Sequence, residues 1–355
     1  MKKILIITPD FYPRVWWWEN YMLNFSKSLE KKWYEIKVLV PNKYKQGIDS
    51  SFWFKIKYLN YYELFGNKFI KLFLLFKEIK KYNSDIVYIS WPWIMDIFAS
   101  WFWKVLRKKV FMTYHADLDL SKLSSRIFTK IYFKTCIPFV DRIIITTDKY
   151  KNILINRWVS KKKLRIVPVW IDLVENFSKS KNNKIQLLFV WMLDKDHLYK
   201  NIYVLLDTMK LLENNNFFLT IIWDWDKLDE YKKYADKLNL KNIEFVWKKV
   251  WKELDNFYQN SNIFILPSNS KKEWFWIVLL EALSKWNFII TWEKSWWAFI
   301  LKENKKFWEL YNWTSEDLKE KILKLSKMLD SFPQKNISSF LQDYKWNNLV
   351  DKIIE

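Results

Sequence analysis

The sequence predicts an α/β protein of two doubly wound, parallel-sheet domains with a cleft between them. Three observations carry that prediction. Short, continuously apolar runs alternate with amphipathic stretches of helical spacing along nearly the whole chain, the pattern of βα units whose strands are covered on both faces. The alternation forms two series, interrupted where residues 171–184 lose their apolar periodicity and read as a linker. The length, 355 residues with half of them hydrophobic, suits two domains that each bury a core.

The first series opens at residues 4–7, four aliphatic residues after Lys2 and Lys3. They are too few for a signal peptide or a spanning helix and read as a buried strand. A loop from Pro9 to Trp18 leads to a helix over 19–32, with Tyr21, Met22, Phe25 and Leu29 near one face, and residues 35–40 form the next strand. Further helices are expected over 68–82, 94–106, 124–138 and 150–156, and strands over 85–89, 110–113, 142–146 and 165–169. The second series has strands over 186–190, 218–222, 243–246, 263–266 and 288–291, with helices near 201–213, 227–238, 252–260, 277–285 and 315–329. The expected division is a first domain over 1–170, the linker 171–184, a second domain over 185–335, and a tail 336–355. A single helix over 337–354 is expected in that tail, with a return onto the first domain open to it.

Glycine is nearly missing. Only Gly47 and Gly66 occur, where a composition of about 7 %, roughly 25 residues, is ordinary. The chain has 25 tryptophans instead, and they stand at turns and helix ends. Trp223 and Trp225 follow a strand, Trp16, Trp17 and Trp18 precede a helix, and Trp296 and Trp297 follow Ser295 in a loop. Trp286 ends the helix over 277–285, where a left-handed residue, usually glycine, is expected. Turns want residues that tolerate positive φ, and an indole there buries nothing. Most of these tryptophans therefore read as glycine positions, with a UGA codon translated as Trp where the native code, as in some bacterial lineages, gives Gly. The wealth of Lys, Asn and Ile fits an AT-rich genome.

The formal net charge of +21 is concentrated in one half. Residues 1–170 hold 32 Lys and Arg against 13 Asp and Glu, and the rest of the chain 28 against 26. A basic domain beside a neutral one suggests that the first faces an anionic partner, a membrane surface or a nucleic acid. Cys136 is the only cysteine, which excludes an internal disulfide or a cysteine metal cluster and favours a reducing cytoplasm.

Five fragments in order carry a resemblance once Trp is read as Gly. Phe11-Tyr-Pro-Arg-Val-Trp-Trp-Trp-Glu19 resembles an FxPxxGGxE loop, and Val167-Pro-Val-Trp-Ile-Asp172 resembles VIPNGID. Phe189-Val-Trp-Met-Leu193 resembles FVGRL, and Ile221-Ile-Trp-Asp-Trp225 resembles IVGDG. Glu273-Trp-Phe-Trp-Ile-Val-Leu-Leu-Glu281 resembles the EGFGxxxLE signature, two glutamates eight positions apart. On these motifs the chain resembles, over nearly its whole length, the retaining glycosyltransferases of family 4, whose GT-B fold has two Rossmann-like domains.

That resemblance implies transfer of a hexose from a nucleoside-diphosphate sugar to a glycan or lipid-linked acceptor, in cell-envelope polysaccharide or glycolipid synthesis. A departing diphosphate gains negative charge, so the site must offer cations or oriented N–H groups. Lys200 matches the family's phosphate-binding lysine. The family's neighbouring arginine is Met192 here, which removes one cation; Lys195 or His197 stand nearest to replace it. Trp17 and Trp18, and Trp274, Phe275, Trp276 and Ile277, are expected donor-binding positions at two helix N-termini. Such ends favour anions, and glycine would let the backbone approach where indoles fill the space. Glu281 matches the ribose-binding carboxylate, an acceptor for two hydroxyls.

The expected catalytic residues are Glu273, matching the first glutamate beside the reacting carbon, and His115, matching a cleft-facing histidine that contacts the donor sugar. No placed carboxylate nucleophile is evident. The resemblance implies attack on the face from which the diphosphate leaves, with phosphate helping to take the proton, and hence retention of configuration. Asp224 and Asp226 lie in the IVGDG-like turn, so no metal and no cofactor are expected beyond the donor.

The expected partners are the nucleotide-sugar donor, the acceptor and, from the basic first domain, an anionic membrane surface, with no nucleic acid. The expected location is cytoplasmic, with peripheral attachment to the inner membrane face open to it. Two other readings compete. A basic, aromatic-rich nucleic-acid binder explains the charge but neither the two βα series nor the paired glutamates. A catalytically inactive glycosyltransferase is favoured by Met192.

Overall fold

The aliphatic runs become strands because only a sheet covered on both faces removes every side chain of such a run from water. The computed structural model describes residues 2–11, 17–41, 52–64, 67–90, 93–114, 118, 122–168, 179, 184–190, 200–213, 216–223, 228–247, 249, 251–268, 277–295, 298 and 307–354. The chain divides into two compact units, Met1–Pro168 with Trp346–Glu355, and Val169–Lys345.

In the first unit β1 (Lys3–Ile7) leads through α1 (Trp17–Lys31) to β2 (Glu35–Pro41) and β3 (Lys55–Leu59). A hairpin of β4 (Tyr61–Leu64) and β5 (Asn67–Ile70) comes next, then α2 (Leu72–Tyr82), β6 (Ile86–Ser90), α3 (Met95–Val105) and β7 (Lys109–Tyr114). After α4 (Leu123–Thr135) come β8 (Arg142–Ile145), α5 (Asp148–Asn156) and β9 (Leu164–Ile166). The sheet order is β3-β2-β1-β6-β7-β8-β9, parallel throughout, with Ile4 opposite Ile36 on one side and Ile86 on the other. Ile4, Leu5, Ile6 and Ile7 are fully buried, each contributing about 1.5–3 kcal/mol relative to exposure.

The second unit runs β10 (Ile185–Val190), α6 (Ile202–Leu211), β11 (Phe217–Trp223), α7 (Leu228–Lys237), β12 (Ile243–Trp247) and α8 (Trp251–Asn260). It continues with β13 (Ile263–Leu266), α9 (Ile277–Ser284), β14 (Phe288–Trp292), β15 (Trp308–Tyr311), α10 (Ser315–Ser326) and α11 (Gln334–Gln342). Its parallel sheet has the order β12-β11-β10-β13-β14-β15. In both sheets the chain winds outward from a central first strand, then returns to wind the other way. The reversal falls between β1 and β6 and between β10 and β13, the position where open α/β sheets leave a ligand crevice at the strand carboxyl ends.

Several sequence expectations change. Residues 68–70, the expected start of a helix over 68–82, belong to β5, where Tyr62 and Phe69 pair across the hairpin with rings stacked at 5.5 Å. The edge strands β3 and β15 were not anticipated. The expected single helix over 337–354 is two: α11 ends at Gln342 and α12 (Trp346–Ile354) follows. The break separates two apolar faces with different destinations. Ile337 and Leu341 join the core of the second unit, whereas Leu349, Val350 and Ile353 are buried in the first. There Lys32 pairs with Asp351, and the Arg142 guanidinium donates to the Ile353 carbonyl at 2.7 Å.

Candidate active site

The second unit places two of the expected residues on either side of its switch point. Lys200 lies after the carboxyl end of β10 and is fully buried. Asn201, with φ 47°, turns the chain into α6; the short polar side chain of Asn tolerates this left-handed conformation. A lysine hidden in this way requires an anion or a set of acceptors nearby, because an uncompensated buried charge costs several kcal/mol.

On the other side of the switch point, β13 feeds α9, which carries Glu281. Its carboxylate accepts a 3.1 Å hydrogen bond from the buried Tyr258 hydroxyl of α8. Burial pushes the Glu281 pKa up to about 7, against the lowering pull of the Tyr258 bond; nearby Asp255 pushes the same way as burial, and Lys285 opposes it. Lys285 and Asp255 pair at 3.4 Å. Near neutrality the carboxyl is thus poised between a form that accepts two hydroxyls and one that also donates. Ile277, the first residue of α9, is partly buried against the core of this unit.

In the first unit Thr8, Pro9 and Asp10, just after β1, are held from several sides. Thr8 donates its hydroxyl to the Asp10 carbonyl at 2.9 Å and accepts the Trp18 indole N–H at 3.1 Å. Trp18 stacks on Tyr21 with centroids 5.2 Å apart. Lys68 pairs with Asp10 and donates to the Pro9 carbonyl at 3.2 Å. The buried hydroxyls of Tyr21, Tyr88 and Thr113 form one cluster across α1, β6 and β7. Burial raises the pKa of Tyr21 well above its usual value and that of Tyr88 to about 12. Both phenols stay neutral and act as supports.

His115, Glu273, Trp274, Phe275 and Trp276 lie outside the described residues, as do Trp16, Met192, Lys195, His197, Asp224 and Asp226. Trp17 opens α1, with its side chain likewise undescribed. Lys200 and Glu281 share the second unit, whereas Trp18 belongs to the first. Tyr258 escaped the sequence reading. Its position on α8 was expected, but nothing in the spacing links it to a glutamate on the next helix. Among the described residues no group of three or more His, Cys, Asp or Glu could hold a metal ion, and no helix is long and apolar enough to cross a membrane.

Two parallel sheets of this topology, joined in one chain, define the class. The first half matches the family model of Glycosyltransferase Family 4 over residues 18–175, and the second that of Glycosyl transferases group 1 over residues 173–335. The chain is a glycosyltransferase of the GT-B fold, of the family 4 and group 1 kind. No curated protein matches its sequence. Among solved structures it is similar to a glycosyltransferase from Rickettsia africae, with 16 % identity, TM-score 0.77, and 99 % of this chain and 96 % of that one covered. The sucrose-phosphate synthase of Thermosynechococcus elongatus gives 16 %, 0.73, 99 % and 97 %. Anabaena HepE in complex with UDP gives 12 %, 0.73, 99 % and 98 %.

Proposed function

We propose that this glycosyltransferase is a retaining hexosyltransferase. It moves a hexose from a nucleoside-diphosphate sugar to a glycan or lipid-linked acceptor in cell-envelope polysaccharide or glycolipid synthesis, working beside an anionic membrane face. The observation that carries the reading is the pair flanking the β10–β13 switch point: a buried cation, Lys200, and an enclosed carboxylate, Glu281. A nucleoside diphosphate needs that combination, positive charge for the phosphates and a two-oxygen acceptor for the ribose hydroxyls. The UDP held by the Anabaena neighbour supports the same donor class.

In this reading Glu273 and His115 face the donor sugar, and Trp17, Trp18, Trp274, Phe275, Trp276 and Ile277 border the diphosphate. The leaving phosphate takes the acceptor proton, and neither metal nor cofactor is required.

The tryptophans at these helix starts are read as native glycines, and backbone angles elsewhere support that. Trp33, Trp158, Trp286 and Trp313 have φ of 63°, 64°, 56° and 88°, a region that costs a residue with a Cβ about 1–2 kcal/mol. The first three follow helices in the bonding pattern that glycine usually completes: Tyr34 N–H to the Leu29 carbonyl, Val159 to Leu154, and Asn287 to Ala282. UGG codons at these positions would sink the recoding.

The test is a donor screen on the chain with glycine restored at these positions. A nucleoside-diphosphate hexose should raise the melting temperature by binding the folded state, and the product anomer should keep the donor's configuration. An inverted anomer removes retention, loss of activity with chelator removes the metal-free mechanism, and no response to any nucleotide sugar removes the assignment of Lys200 and Glu281.

A further inference from the structure

Helix α4 turns an apolar stripe outward. Leu123, Ile127 and Ile131 recur every fourth residue, which places them along one face, and they are 64 %, 49 % and 49 % exposed. A helix of a globular unit ordinarily turns such a stripe to the core. In α4 other positions serve the core, Thr129 and Tyr132. Beside the stripe stand Arg126, Lys130 and Lys134, all exposed, and the helix contains no acidic residue.

The cations continue off the helix. A groove of about 800 Å³ lies between α4 and the turn after α5, bordered by Arg126, Lys130, Lys134, Arg157 and Lys163. No Asp or Glu lines it, and Ile137 and Val159 contribute an apolar surface. Arg157 is fixed in the wall, donating to the Tyr114 hydroxyl at 2.8 Å and lying over the Phe133 ring at 5.3 Å. Lys163 is held by the carbonyls of Ile137 and Pro138 at 3.2 and 3.0 Å. The cationic surface is therefore partly preformed.

We propose that this face, α4 with the groove beside it, docks the first unit onto an anionic lipid bilayer. Leu123, Ile127 and Ile131 enter the boundary between headgroups and acyl chains, while the cations along one side of the stripe and in the groove beyond it hold lipid phosphates. An apolar stripe flanked by Lys and Arg is what an interfacial helix requires, and the two contributions add. A duplex nucleic acid would engage the cations through its phosphates but leave the aliphatic stripe in water. A second copy meeting this face across a two-fold axis would bring cations against cations. The inference deepens the proposed membrane-side acceptor and rests on that reading. It holds for either reading of the tryptophans in the helix itself, since α4 has none.

The test uses the full chain and co-sedimentation with vesicles of phosphatidylcholine alone or mixed equally with phosphatidylglycerol. Binding to the mixed vesicles that weakens with salt, and little binding to the neutral ones, is expected. Lys130→Gln with Lys134→Gln should lower the partition coefficient about 25-fold, at roughly fivefold per lysine near an anionic surface. Ile127→Ser with Ile131→Ser should lower it about tenfold through lost apolar burial. Lys80→Gln with Lys81→Gln removes the same charge from exposed positions of α2 and should cost no more than about twofold.

An equal loss in the α2 pair, or equal binding to neutral vesicles, overturns the assignment of this face. So does retention of duplex DNA, lost in the α4 variants, without vesicle binding. Donor consumption in free solution should be unchanged in every one of these variants. Its absence from the glycine-restored parent chain, with vesicle binding intact, would remove the proposed donor chemistry and leave the docking face standing.

Discussion

The two units share a winding order and differ in where they keep charge. The first carries nearly all of the net positive charge and holds most of it at the surface. Two of the carboxylates it buries have structural partners: Glu78 receives Lys37 at 2.7 Å and also Lys57, and Asp96 accepts the Trp93 N–H and the Tyr132 hydroxyl. The second unit is close to neutral, yet it buries Lys200 just after β10 and holds the Glu281 carboxyl in α9, the helix that follows the neighbouring strand β13. Net charge describes what a domain drifts toward. A charge held out of water at a topological switch point marks where chemistry is done. The basic half is thus the less informative half about the reaction, although its charge is what first draws notice.

The largest effect that could break this comparison is at Lys200. Lys200→Met keeps the side chain's length and removes its charge. If the buried cation stabilises the leaving diphosphate, kcat/KM should fall by about 10²–10³. Full activity in a steady-state transfer assay would mean that the buried charge of the second unit serves something other than the donor.

Glu281 gives the next largest effect, and it has a pH signature. The folded carboxyl keeps its proton up to about pH 7, whereas an unperturbed one releases it near 4.5. The folded state therefore binds more protons between these values, and stability falls as pH rises through that window, by an amount of order 3 kcal/mol. Glu281→Gln should flatten the slope in denaturant titrations at several pH values and be more stable than the parent at pH above the window. It should bind a nucleoside diphosphate more weakly by calorimetry, because an amide offers one acceptor oxygen where a carboxylate offers two. Tyr258→Phe removes a bond that lowers the pKa, so the upper end of the same window should move above its present place. An unchanged profile in both variants would detach Glu281 from the comparison altogether.

What the sequence makes legible follows the same division. Residues 4–7 and 263–266 are uninterrupted apolar runs, and a buried parallel strand is the structure that hides both faces of such a run. β3 alternates Lys55 and Lys57 with Ile56 and Tyr58, a pattern too short to stand out until β2 lies beside it. β15, with Glu309 between Trp308 and Tyr311, is too short and mixed to announce itself. Glu281 stands out through its distance from Glu273, a local pattern. Tyr258 lies 23 residues before Glu281, on the preceding helix, and only the parallel sheet brings those two helices together. Local spacing can nominate a charged group. It cannot reveal the neighbour that sets the group's pKa.

The smallest predicted effect concerns a feature common to both units and sharpens what the comparison leaves out. Trp33 and Trp158 in the first unit and Trp286 in the second end helices at positive φ, so the demand on these positions comes from the backbone and not from either unit's charge. Trp33 is 82 % and Trp158 96 % exposed, which leaves the indole little packing to lose and isolates the conformational cost. Trp33→Gly and Trp158→Gly should therefore each stabilise the fold by about 1 kcal/mol, a rise of roughly 2–4 °C in Tm for a chain of domain-sized units. Trp33→Ala and Trp158→Ala remove the same indole but keep the Cβ, and the strain with it. If glycine and alanine prove equal by thermal denaturation, exposure of the indole is the whole of the penalty. If glycine alone stabilises, the backbone itself is asking for the residue that the sequence so conspicuously lacks.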